Sequence, residues 1–203
     1  MSDSTTIRWA SASILVGGLL YALYGLLNPL LAPSLVWFLV GNLLGAVLLT
    51  VGVTGLRVYL RERGVNLGGA GQVGIWACII ALAVWTALGL ASFLVLALVG
   101  PTLLAGRAGD IADFLLVIVF VGSALLGAAL YLRTDVVPKG AALALAIASV
   151  LALVPALADY VMALIPIWVF ETFRVVYGAA WALVGYGLWA TRQAVAPPRP
   201  RVR

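Results

Sequence analysis

The chain has 203 residues, 65% apolar and only 9% charged, with a formal charge of +5 and a mean hydropathy of +1.17. Soluble globular domains carry roughly 25% charged residues, so this chain has too few charges to cover a water-facing surface, and several of its apolar runs are long enough to cross a bilayer. A nucleic-acid partner is excluded on the same grounds, because the basic residues sit at the ends of apolar runs, where they set membrane orientation.

The runs predict an all-α polytopic bundle of about six transmembrane spans, arranged as three helical hairpins if neighbours pair. The start, MSDSTTIRWA, leads into an apolar run too long for the core of a signal peptide. The first span covers about 7–27 and stops at Asn28-Pro29. The second covers about 35–59 and ends in Arg57, Arg61, Glu62 and Arg63. The glycine-rich stretch GVNLGGAGQ that follows reads as a turn with little fixed structure. The third span covers about 73–99 and stops at Gly100-Pro101; the fourth covers about 110–132 and ends at Arg133. The fifth, about 140–162, is rich in alanine and is interrupted near its outer end by Pro155 and Asp159. The sixth covers about 167–191. The remainder, 194–203, is a basic, proline-rich tail that cannot be helical.

With the first residue inside, ten of the twelve basic residues fall on the cytoplasmic side. They are Arg8, Arg57, Arg61, Arg63, Arg133, Lys139, Arg192, Arg199, Arg201 and Arg203. This asymmetry predicts a multi-pass protein of the cytoplasmic membrane with both ends in the cytoplasm. Trp9, Trp76 and Trp189 near inner ends, and Trp37 and Trp168 near outer ends, fit an interfacial aromatic belt. Spans two, four and six end alike, in GLRVYLR, GAALYLR and GLWATR, and each carries a polar residue some turns earlier: Asn42, Asp113 and Glu171. Triplication of a hairpin explains this, and so does the common use of an aromatic and an arginine at inner ends.

There is no histidine, and Cys78 is the only cysteine. These absences remove His-ligated metal or haem, Ser-His and Cys-His dyads and any intrachain disulfide. No Walker loop is present, and the only lysine, Lys139, lies in a loop. No cofactor, metal or catalytic residue is expected, and an enzyme is the weaker reading.

The acids hold more information. Arg174 lies about 10 Å inside the sixth span at 1.5 Å per residue, and an ionised group there costs about 2.5–3.5 kcal/mol unless it faces protein or water. Glu171, three residues earlier, shares its helix face. Asp113 and Asp159 belong to the same outer end. The candidate ligand or ion site is therefore Asp113, Asp159, Glu171 and Arg174, expected to line an outward-facing, water-accessible cavity. The competing reading is a structural ion pair, or an arginine that snorkels to the interface. A second candidate is an aromatic pocket of Tyr24, Trp85, Tyr177 and Trp181, with Tyr21 nearby; helix-packing core is the simpler account of these rings. The basic tail binds anionic lipid or merely enforces topology.

The segments GGLLYALYGLLNPLLAP, GLRVYLRERG and YLRTDVVPKGAALAL resemble those of a loose group of uncharacterised small bacterial six-helix integral membrane proteins. The resemblance spans most of the chain and implies no activity and no site residue. Three function classes follow: a small permease, channel or solute-binding protein using the acidic and arginine site; an accessory or assembly subunit, or a homo-oligomer, docking through lipid-facing helices; and a membrane enzyme acting on lipid.

Overall fold

The structure is a computed structural model that describes the backbone of residues 3–30, 38–99, 104–162 and 166–195. The described residues form six α-helices and no strand: α1 Asp3–Leu27, α2 Gly45–Glu62, α3 Gly68–Val99, α4 Leu104–Arg133, α5 Lys139–Met162 and α6 Ile167–Val195. A π-helical segment, Phe38–Leu44, runs directly into α2.

Each helix packs against the next in the chain, and α6 returns to pack against α1, so the six form a closed ring. Short links make neighbours antiparallel. Helices that are not ring neighbours meet through side chains: Tyr177 of α6 reaches Phe120 of α4, with ring centroids 4.9 Å apart. The centre is filled by Tyr21, Phe120, Tyr177 and Trp181, all buried.

Glycine sets the helix spacing. At the α1–α6 seam, a Cβ on Gly18 would lie 2.7 Å from the Gly178 carbonyl oxygen, and a Cβ on Gly178 would lie 2.7 Å from the Gly18 carbonyl oxygen. The two backbones meet with no side chain between them, the approach that small residues permit within a membrane. Gly74 and Gly122 form the same kind of contact between α3 and α4.

The outer surface is apolar as well as the core, unlike that of a soluble domain. Leu19, Leu23, Leu26, Leu94, Ile147, Val150 and Val154 face outward, whereas Ser123, Ser149, Asn42 and Glu171 are buried. Apolar exposure on this scale is foreign to water-soluble monomers, and a bundle of this kind is compatible with an integral membrane protein. Five helices are long and apolar enough to cross a bilayer. The sixth, α6, reaches the length but is less apolar, because it carries Glu171, Arg174 and several Trp, Tyr and Gly residues.

Two sequence expectations need revision. The glycine-rich stretch after α2 is not a loose turn throughout, because α3 starts at Gly68. The Asn66 side-chain oxygen accepts the Gly68 N–H at 2.8 Å, which starts the helix, and a Cβ on Gly71 would collide with Leu67 and Ala129. Pro155 does not interrupt α5, which continues to Met162; a proline inside a membrane helix is tolerated where packing and local adjustment re-satisfy the freed carbonyl. The three matching helix ends are not packed alike: Gly55 faces Ala10 of the preceding helix, whereas Gly127 faces Ala142 and Ala146 of the following one.

The basic residues of α2, α4 and α5 gather at one end. The Arg133 guanidinium lies against Gly68 at the start of α3. Lys139 donates to the carbonyls of Tyr131 at 2.6 Å and Thr134 at 2.8 Å, and pairs with Asp135 at 3.2 Å. That cation closes the C-terminus of α4, where helix carbonyls lack partners and the dipole is negative. Trp9, Trp76, Trp168 and Trp189 point outward; Trp85 and Trp181 are buried, so the two mid-span tryptophans are core.

Candidate functional site

The site at the other end is built by α1 and α6. Tyr21, Tyr24 and Asn28 are spaced i, i+3 and i+7, so they share one face of α1 and its continuation. Phe170, Glu171 and Arg174 share one face of α6 by the same rule. Gly25 lets the two faces meet: a Cβ there would lie 2.9 Å from the Glu171 carbonyl oxygen and 3.0 Å from Arg174 Cβ. The π-helical segment covers the cluster from a third side, with Gly41 set directly against the Tyr24 ring.

Arg174 Nη1 donates to Glu171 Oε1 at 3.3 Å. Asn28 Nδ2 donates to the same oxygen at 2.8 Å. Three rings surround the guanidinium: Phe170 with its centroid 4.8 Å away, Tyr24 at 5.5 Å and Tyr21 at 5.9 Å. Each such contact is worth about 0.5–1 kcal/mol when exposed and about 2 when desolvated.

The cluster is not fully satisfied. Glu171 Oε2, Arg174 Nε, Tyr21 Oη and Asn42 Oδ1 are buried with no hydrogen-bond partner. An orphaned buried polar group forfeits its hydration, typically about 1–3 kcal/mol and more for an ion. The three on α1 and α6 leave vacant hydrogen-bonding capacity of both kinds: Glu171 offers an acceptor, and Arg174 offers a donor.

From this cluster a polar thread enters the ring. Tyr21 meets Tyr177 edge-on at 5.8 Å. Tyr177 Oη and Ser123 Oγ are hydrogen-bonded at 2.7 Å, and Ser123 Oγ lies 3.4 Å from Cys78 Sγ. The thread thus joins α1, α6, α4 and α3 near mid-bundle.

The expected candidates are placed as follows. Glu171 and Arg174 meet as their spacing requires. Glu171 is 3% exposed, so its carboxylate does not line an open cavity; Asn28 and the α1 face close over it. The side chains of Asp113 and Asp159 lie outside the described residues. Of the aromatic candidates, Tyr24 lies against Arg174, Tyr177 and Trp181 pack edge-on at 6.5 Å in the centre, and Trp85 is core. The described residues contain no cluster of metal-ligating side chains.

Sequence reasoning missed Asn28, which read only as a helix stop before Pro29, and Ser123. Asn28 carried a usable signal, since it lies seven residues from Tyr21 at the same predicted depth as Glu171. Ser123 carried none, because nothing in the spacing pairs α4 with Tyr177. Comparisons with family models, with curated proteins and with solved structures found no match for this chain.

Proposed function

We propose that the chain is a small solute- or ion-binding membrane protein of the permease or channel class, with Glu171 as the exchangeable group of its site. One observation carries the reading. Glu171 Oε1 is shared by Asn28 and Arg174, while Oε2 is buried without a partner. Within an apolar bundle such an oxygen is an open acceptor for one further donor, from water, a hydroxyl, an amine or a hydrated cation. Arg174 keeps the site from carrying a full uncompensated charge when it is empty. Asp113 and Asp159 are proposed to extend the site toward the same end.

The test is flux. The protein is reconstituted in liposomes, and proton entry under an imposed potential is followed with an encapsulated pH dye. Wild type is expected to exceed protein-free liposomes several-fold, and Glu171→Gln to lose that excess. Equal rates in wild type and empty liposomes would sink a proton pathway and leave solute binding to be tested by the same substitution.

The orientation belongs to this proposal: both ends cytoplasmic, the Glu171 site outward. Ten of twelve basic residues on one side support it. Gly64→Cys in the α2–α3 link should react with an impermeant maleimide only when the inner face is open to reagent.

A second reading, an accessory subunit or homo-oligomer, is favoured by α3. Its membrane-length stretch is 22% buried, against 44–56% for the other four such stretches. Cross-linking from Val84→Cys on that face should trap a dimer if this reading holds and only monomer if it does not.

A further inference from the structure

The basic end of the bundle holds a separate cavity. Between the end of α2 and the start of α3 lies a space of about 270 Å³, lined on its polar side by Arg57, Arg61, Asn66 and Gln72 and on its apolar side by Leu60 and Ile75. Arg57 and Arg61 are four residues apart on α2, so both guanidinium groups belong to one helix face.

Three observations give the cavity a sign. The Arg57 guanidinium carbon lies over the Trp76 ring, 4.2 Å from its centroid, and its Nε is buried with no hydrogen-bond partner. Among the described residues neither Arg57 nor Arg61 forms an ion pair, and the adjacent acid, Glu62, is exposed. Asn66 uses its side-chain oxygen on the Gly68 N–H, which leaves its amide group to donate. The cavity also flanks the N-terminus of α3, a 32-residue helix whose dipole is positive at that end.

A guanidinium held over a tryptophan ring, a second one on the same helix face, an amide donor and a helix N-terminus together match an anion with several oxygens. The volume is at the small end of ligand pockets, about 300–1,000 Å³, and suits a headgroup rather than a larger metabolite. We propose that this cavity binds a phosphate group, presented by an anionic lipid headgroup or by soluble phosphate.

The full chain, delipidated in nonionic detergent, tests this. Native mass spectrometry would count retained phosphatidylglycerol against phosphatidylcholine, whose choline cancels the phosphate charge, and calorimetry would titrate inorganic phosphate. Retention of phosphatidylglycerol alone assigns a lipid source; binding of inorganic phosphate that displaces it assigns a soluble one. In either case Arg57→Gln and the more exposed Arg61→Gln should each weaken binding about tenfold. Arg57→Lys, which keeps the charge and loses the fork, should weaken it less. Arg63→Gln is the control, because Arg63 lies 5.0 Å from the Tyr59 ring and outside the cavity. The proposal is overturned if neither probe binds, or if Arg63→Gln weakens binding as much as Arg57→Gln, the behaviour of diffuse interfacial charge.

Discussion

Glu171 holds its two oxygens unequally, and that inequality separates a structural pair from a working one. Removing one member of a buried ion pair leaves the other charge without compensation and costs about 3–5 kcal/mol, whereas replacing both with apolar residues of similar volume is often neutral. Glu171→Ala should therefore destabilise the protein by about 3 kcal/mol, read as a loss of thermal stability in detergent. The double variant Glu171→Leu/Arg174→Met should regain most of that stability. If it also keeps the flux of wild type, the pair is structural. If it is stable and inactive, the pair is the site. Tyr177→Phe probes the next group inward: loss of its 2.7 Å bond to Ser123 should cost about 1 kcal/mol, and Ser123 would keep only its contact with Cys78. Arg174 was legible in the sequence because a charge within a span demands a partner, and Glu171 was legible by helical spacing. For Asn28 the spacing from Tyr21 and the depth were legible, but its pairing with Glu171 was not, since that depends on which helices are neighbours, and hydropathy is silent on that.

At the scale of the helix, glycine decides where backbones touch. Gly18→Ala or Gly178→Ala forces a methyl group against a facing backbone, and overpacking of this kind costs about 1–3 kcal/mol. Gly69→Ala is the counter-case. Nothing lies within 4 Å of a Cβ there, and alanine in a helix is better than glycine by about 0.5–1 kcal/mol, so this variant should be unchanged or more stable. Thermal unfolding of the three variants side by side would test the pattern. The helices were readable from apolar runs because bilayer thickness fixes the length a span needs. The π-helical turn at Phe38–Leu44 was not, since it arises where Gly41 must seat against Tyr24 and no local propensity marks such a turn. The passage of α5 through Pro155 was missed for a related reason: the proline rule is local, and the packing that offsets it is not.

At the scale of the molecule, the ring has an apolar core that encloses a few polar groups, and its outer surface is aliphatic as well. Cys78, with 0% of its surface exposed, should resist membrane-permeant maleimide in the folded protein and react fully after denaturation. Labelling of the folded protein at the denatured rate would show that the α3–α4 seam opens readily. The ring order itself was beyond sequence pattern, which yields spans without yielding their neighbours. The sixth helix differs from the others in carrying a buried ion pair. It leans on α1 through Gly18, Gly25, Gly178 and Gly185, and Asn28 supplies the bond between helices at its charged end.

That seam has a consequence for how the protein is made. The chain is made from its N-terminus, so α1 is complete long before α6 and waits with its glycine-lined face unfilled. The helix that carries the buried ion pair is thus made last of the six, when the α1 face that receives its carboxylate and its arginine is already in place.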